Sequence, residues 1–373
     1  MTDSDAWKVG VELELMAPPG RSRRDLADAL AAWHGGVARR IFHPQSEFTT
    51  LEDVPVFENL TLGFAVETAD GSRIASCVDD LTLIDDLASD APPQPGWYRI
   101  LSDDLRFLSL IEKTCDPSAD AAEVLQPLAA LFGTELTCHD DGTVVRVADR
   151  QGRSVAMAVP LPGERERPCE LVTAPLGANR ESRVRAHLEI ARGLGFTVPA
   201  EAATHIHFDG NRLQNAATIA RVISVFGHYR ADLRRLVQTN PNCRRLGDWP
   251  KALYQAAGAS GFDTLSWHGA ADRLREAGAR KYCDFNLVNL LAARSDKCTF
   301  EVRILPGLIE ADAVLRAIRL FEALLEYCIG TQATAPRTTP SLTDLIGQLH
   351  LPDGDKSHWC GRLQAPRRSR FGF

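Results

Sequence analysis

The sequence predicts an α+β protein whose sheet is antiparallel, on three observations. Short apolar stretches with polar residues at every second position read as strands, Asp-Gly pairs stand where two such stretches would join, and helical periods recur along the second half of the chain. The first strand is residues 9–16, VGVELELM. Residues 22–34 follow with a helical period and Ser22 as its cap. Strands at 56–68 and 72–79 are joined by Ala69-Asp70-Gly71, a tight hairpin turn. The Pro-rich stretch APPQPGW reads as a loop, with helical stretches around 103–113 and at 119–132 after it. Residues 134–139 and 143–148 form a second hairpin around Asp140-Asp141-Gly142, and 154–160 is a further short strand. From 168 the pattern is strand, helix, strand, helix: PCELVTAPL, then 180–194, then THIHF, then a long amphipathic helix across 212–238. Ile219, Val222, Ile223, Phe226 and Leu233 make the apolar stripe of that helix. A helix at 263–277, a strand at 298–305 and a helix at 310–329 complete the pattern.

With 373 residues, 45% of them hydrophobic, the chain has enough apolar material for a large core. Lys and Arg number 42 against 49 Asp and Glu, and the resulting net charge of −7 argues against general nucleic-acid or membrane-surface binding. Nine cysteines without a C-x-x-C spacing read as free thiols, which makes the cytoplasm the expected location. The start, MTDSDAWKVGVELEL, lacks a basic segment followed by an apolar one, and no apolar run reaches the ~20 residues a membrane span needs.

Three strands carry polar side chains two residues apart: Glu12 and Glu14, His205 and His207, Glu301 and Arg303. Strand side chains alternate, so each pair points to one face while Leu13, Ile206 and Val302 point to the other. Carboxylates in such apolar strands are costly unless paired or metal-bound. Two imidazoles at i, i+2 converge on one ion, although each pair alone also has a structural reading as an edge strand or a cross-strand ion pair. Glu170, in CELVTAPL, is a fourth carboxylate of this type, with a charge balanced by Arg165 or Arg167 as its structural reading. Asp79 and Asp80 end a hairpin strand, where turn chemistry accounts for them. In the segment 280–291, RKYCDFNLVNLL, Asn286 and Asn289 interrupt an apolar run, and a structural cap and a nucleotide-orienting role are equally open. Lys281 and Asn286 from this segment, with Arg303, are the candidates for holding a nucleotide. No Gly-rich phosphate loop of the G-x-x-x-x-G-K-[ST] or G-x-G-x-x-G kind is present. Because Glu12 and Glu301 lie nearly a whole chain apart, a shared site implies one catalytic domain over 1–331, with a linker and C-terminal tail over 332–373.

VGVELEL, CELVTAPL, THIHFDG, RKYCDFNLVNL and TFEVRILPG, in this order, resemble the amidoligase family of the glutamine synthetase and glutamate–cysteine ligase (carboxylate–amine ligase) superfamily. The resemblance covers residues 9 to 330. It implies a curved antiparallel sheet flanked by helices, holding ATP and two or three Mg²⁺ ions, with Mn²⁺ as a substitute. By the same resemblance Glu12, Glu14, Glu170, His205 and Glu301 are metal ligands, Arg303 meets the transferring phosphoryl group, and His207 stands in a supporting or substrate-facing place. Arg303, Glu14 and His207 are thus the expected catalytic residues. Further acidic ligands of such ligases fall between residues 40 and 70, where Glu47, Glu52, Glu58 and Glu67 are the candidates.

The implied activity joins a carboxylate to an amine through an acyl phosphate, releasing ADP and phosphate. A Glu-rich site relieved by one or two histidines suits hard Mg²⁺ better than zinc. Its partners would be small-molecule or peptide carboxylates and amines, with no nucleic acid and no membrane, and a homo-oligomer is compatible with this. The competing reading is a metal-dependent hydrolase that uses His205 and His207 to activate water.

Overall fold

The computed structural model describes residues 7–48, 56–138, 143–243, 245–292, 297–330 and 340–364. It divides into two units: one of Glu12–Ala174 with His187–Glu201, the other of Met1–Val11, Pro175–Ala186 and Ala202–Phe373.

The first unit is rich in strands. In chain order its elements are β1 (Val9–Met16, of which Glu12 onward belongs here), α1 (Arg23–His34), β2 (Val37–Phe48), β3 (Val56–Glu67), β4 (Arg73–Val78), β5 (Pro93–Leu101), α2 (Leu105–Thr114), α3 (Gln126–Phe132), β6 (Thr137–Cys138), β7 (Val145–Ala148), β8 (Ser154–Pro162), β9 (Pro168–Thr173) and the last part of α4 (Arg180–Gly193). All its pairings are antiparallel: β1 with β9, β9 with β4, β4 with β3, β3 also with β2 and β5, then β5 with β8, β8 with β7 and β7 with β6. The sheet is large and open, and it is not strongly curled, which corrects the curved sheet that the family resemblance implies.

Local chemistry explains these elements. Ser22 accepts from the Arg24 N–H and Asp25 from the Ser22 N–H, a capping box that starts α1, and Gly35 at φ 64° ends it in the left-handed conformation. The buried stripe Leu26, Ala27, Leu30 and Ala31 faces inward. Even-numbered residues of β3 point to one side of the sheet, where Leu60 and Leu62 join Phe42, Tyr98 and Ile100, and α2 and α3 close this core with Leu108, Ile111, Leu125 and Leu128. Odd-numbered β3 residues, Asn59, Thr61 and Gly63, point the other way. Under α1, Arg23 is fully buried: its Nε donates to the Leu62 carbonyl at 2.9 Å and its guanidinium lies 4.5 Å from the Trp97 ring centre.

Two strands escape the sequence pattern. The segment VARRIFHPQSEF shows no alternation, yet β2 pairs with β3 along all twelve of its residues. The Pro-rich stretch read as a loop is instead the start of β5, which reaches regular pairing only from Tyr98. The helix expected at 119–132 shortens to α3, preceded by turns. The turn of the second predicted hairpin, Asp140-Asp141-Gly142, lies outside the described residues, while β6 and β7 on either side pair as expected.

The second unit contains β10 (Ala203–Asp209), α5 (Ala216–His228), α6 (Arg230–Val237), α7 (Lys251–Ala257), α8 (Trp267–Glu276), β11 (Phe285–Asn286), α9 (Val288–Leu291), β12 (Thr299–Pro306), α10 (Ala311–Gly330), α11 (Leu342–Gln348) and α12 (Asp353–Gln364). β12 pairs antiparallel with both β10 and β11. Its core gathers Phe226 with Phe285 and Phe300 at centroid distances of 4.9 and 5.1 Å in edge-on packing. The single helix expected across 212–238 is a 3-10 turn followed by α5 and α6, broken at Tyr229, whose hydroxyl donates to the Pro340 carbonyl at 2.6 Å. In the C-terminal segment α11 and α12 form with Leu342, Leu345, Ile346 and Trp359 buried, while residues 332–339 of the expected linker lie outside the described residues. No helix among the described residues is long and apolar enough to cross a membrane.

Candidate functional site

In the strand-rich unit the register between β1 and β9 sets Glu14 directly opposite Glu170, and Glu12 opposite Val172. Directly opposed residues share a face, so Glu12, Glu14 and Glu170 gather on one side of the sheet. Ligand atoms of Glu12 and Glu170 lie within 4.8 Å of each other. Burial, and then the charges of Glu12, Asp80 and Glu14, push the Glu170 carboxyl well above the usual range. Carboxylates so placed favour a shared cation or a retained proton. Val78 lies opposite Glu170 in β4, and the chain beyond it brings Asp80, buried, toward the same carboxylates.

Asp80 is therefore a residue that sequence reasoning assigned to a turn alone. It does make the turn, accepting from the Thr82 N–H at 2.8 Å and from the Thr82 hydroxyl at 2.6 Å, while its charge bears on Glu170. The only signal in the sequence is its place at the end of a strand of this sheet. Asp79 serves the scaffold: Arg165 Nη2 donates to its Oδ1 at 2.7 Å, and Arg23 lies 3.9 Å away. Of the acidic candidates between residues 40 and 70, Glu58 accepts from Ser46 at 2.8 Å and Glu67 pairs with Arg39 and Arg73. The side chain of Glu47 and all of Glu52 lie outside the described residues.

In the other unit the hub is Glu301, buried in the middle strand β12. Asn286 of β11 stands opposite it and donates to Oε2 at 2.6 Å, and Arg303 Nη1 donates to Oε1 at 2.5 Å. On the other flank His207 pairs with Glu301 in register, its Nε2 3.9 Å from Oε1. His205 sits where the β10–β12 register shifts, and this irregularity leaves its Nδ1 3.8 Å from the same oxygen. Both separations exceed a hydrogen bond, which suits side chains that converge on a common ligand. Arg303 is itself fixed through its backbone, its N–H donating to the Asp284 carbonyl at 3.0 Å. The buried Asp284 carboxylate is held by Arg230 at 2.7 Å and Arg234 at 2.9 Å. Those two arginines thus brace the strand that carries Arg303. Lys281 is exposed, with its ammonium 5.8 Å from the Tyr282 ring centre.

The start of β1 belongs to this unit and runs beside β10. The Asp209 N–H donates to the Lys8 carbonyl at 3.0 Å, and a Cβ added at Gly10 would stand 3.6 Å from the His207 Cβ. Within this unit, the Glu301 carboxylate beside two imidazoles is a donor set that fits a divalent cation.

Residues 5–325 match the family model described as "putative amidoligase enzyme", and the chain belongs to that family. Neither the curated proteins nor the solved structures contain a match to it.

Proposed function

We propose that this protein is an ATP- and Mg²⁺-dependent ligase that joins a carboxylate to an amine through an acyl phosphate. What supports the reading is the convergence of Asn286, Arg303, His205 and His207 on Glu301, in a chain of the amidoligase family. Glu12, Glu14, Glu170, His205 and Glu301 are the proposed metal ligands, and Asp80 joins them.

A carboxylate and an amine do not condense in water, because the leaving group would be oxide. Bound Mg²⁺ would neutralise the phosphates of ATP. The substrate carboxylate oxygen attacks the γ-phosphorus, the bond to the β-phosphate oxygen breaks, and ADP leaves. Arg303 faces the charge that develops on the transferring group, where a planar guanidinium is worth most. The amine nitrogen then attacks the acyl carbon, phosphate leaves, and the amine loses a proton. His207 is the proposed substrate-facing side chain. Asn286 is proposed to orient Glu301 toward the nucleotide side, and Lys281 to meet the nucleotide at the rim.

The reading is tested by ADP release on a matrix of carboxylates and amines. A ligase forms ADP only when both are supplied, and Glu12→Gln or Glu301→Gln abolishes this without unfolding the protein. ATP-independent hydrolysis of amides, or near-normal ligation by those variants, overturns it.

A further inference from the structure

Helix α12 meets α10 through one carboxylate and several cations. Asp355, His358 and Arg362 stand at i, i+3 and i+7 and so share one face of α12. Asp355 sets that face against α10, accepting from Arg316 Nε at 3.1 Å and from Arg319 Nε at 2.5 Å. With Arg362, three guanidiniums gather around a single carboxylate that two of them already share. α12 begins at Asp353, past the end of the family match at residue 325.

The donors of this cluster are open. Arg316 commits only its Nε, its side chain is 31% exposed, and its two terminal nitrogens make no hydrogen bond among the described residues. Arg362, half-buried, has its guanidinium 5.6 Å from the Trp359 ring centre and makes no hydrogen bond or ion pair among the described residues. The half-buried His358 packs edge-on against the same ring at 4.8 Å, and it too has no hydrogen-bond partner among them. Arg362 falls in the last turn of α12, where a cation meets the helix dipole, but that weak attraction does not account for its place beside Arg316. The cations repel one another: burial and then Arg316 lower the Arg362 pKa, and burial, then Arg316 and Arg362, lower that of His358. Like charges held together with their donors open favour an anion between them.

We propose that Arg316, His358 and Arg362 form a binding site for a phosphate-type dianion, free or carried as a monoester, built from residues that take no part in the Glu301 cluster. Arg316 and Arg362 each turn paired N–H donors toward its oxygens, which suits a tetrahedral oxyanion, and His358 adds a further donor. The bound dianion offsets the repulsion and fastens α12 to α10. Nothing in this proposal depends on the ligase reading.

The test is thermal unfolding of the full-length protein at neutral pH in sodium phosphate, methyl phosphate or sodium chloride, at matched ionic strength. Inorganic phosphate is expected to raise the melting temperature above that in chloride. Equal protection by methyl phosphate identifies the ligand as a phosphoryl group carried on a larger molecule, and protection by phosphate alone identifies it as the free ion. Arg362→Gln weakens the binding by about tenfold or more without lowering the melting temperature in chloride, and Arg362→Lys, which keeps the charge but loses the fork, falls between it and wild type. His358→Phe, which keeps the ring packing and removes the donor, weakens the binding as well. The proposal is overturned if neither anion protects the wild type beyond chloride, or if Arg362→Gln binds phosphate as tightly as wild type, which would put the anion in the centre proposed for ATP. Should Arg362→Gln fail to fold, undiminished binding by both Arg362→Lys and His358→Phe overturns it equally.

Discussion

Asn286 and Glu301 stand directly opposite each other across β11 and β12, and the Asn286 amide donates to Glu301 Oε2 at 2.6 Å. The bond ties down one carboxylate oxygen and leaves Oε1 to Arg303 and the two histidines. Groups that orient a metal ligand commonly cost 10–100-fold in affinity or activity when removed, so Asn286→Leu is expected to lose about that much Mg²⁺ affinity. Asn286→Asp should lose more, because it sets a second carboxylate against Glu301. Titration of ATPase activity with Mg²⁺, with circular dichroism to confirm folding, measures both.

Arg303→Lys keeps the charge and loses the fork. In the present geometry one guanidinium nitrogen is committed to Glu301, so only a side chain with further donors can reach a phosphoryl group as well. The expected result is a fall in kcat of about 10³-fold or more, with Mg²⁺ affinity little changed. Steady-state kinetics at saturating ATP decides it, and near-normal turnover would remove Arg303 from the proposed mechanism.

How far the sequence reveals this molecule depends on where the determining partner lies. β1, β9, β10 and β12 are legible because their own alternation declares a buried and a polar face, and α1 because Ser22 and Asp25 form its cap locally. β2 is not: Arg39, Arg40, His43 and Pro44 break any alternation, and the strand exists because β3 offers it twelve pairing positions. β5 hides behind its prolines for the same reason. The polar pairs at Glu12, His205 and Glu301 can be read from spacing alone, but not Asp80, whose second role comes from a neighbour ninety residues on.

Asp79 tests how the scaffold under the carboxylates is held. It accepts from Arg165 and lies 3.9 Å from the fully buried Arg23, whose own pKa is lowered chiefly by burial and is supported by this carboxylate. Removing one member of a buried ionic group strands the others, typically at about 3–5 kcal/mol. Asp79→Ala should cost that much in urea unfolding. Because the carboxylates at β1 and β9 face the other side of the sheet, a stabilising osmolyte should restore its activity along with its fold.

The docking of α12 carries a pH signature. Burial raises the Asp355 carboxyl, but hydrogen bonds and charge from Arg319 and Arg316 of α10 outweigh it, and the net shift is downward. Its stabilisation is then complete above the unfolded value of about 3.9 and is lost as pH falls through the lower folded one. Three residues on, His358 is also shifted downward, first by burial and then by Arg316 and Arg362, so the folded protein keeps it neutral where the unfolded chain begins to bind a proton. That loss starts earlier, as pH falls below about 6.5. Melting temperature between pH 3 and 8 should therefore decline in two stages. His358→Gln should remove the upper one, and Asp355→Asn should flatten the lower one while costing about 1–2 kcal/mol at neutral pH. A single decline that neither substitution alters would mean that α12 contributes nothing to the stability of its unit.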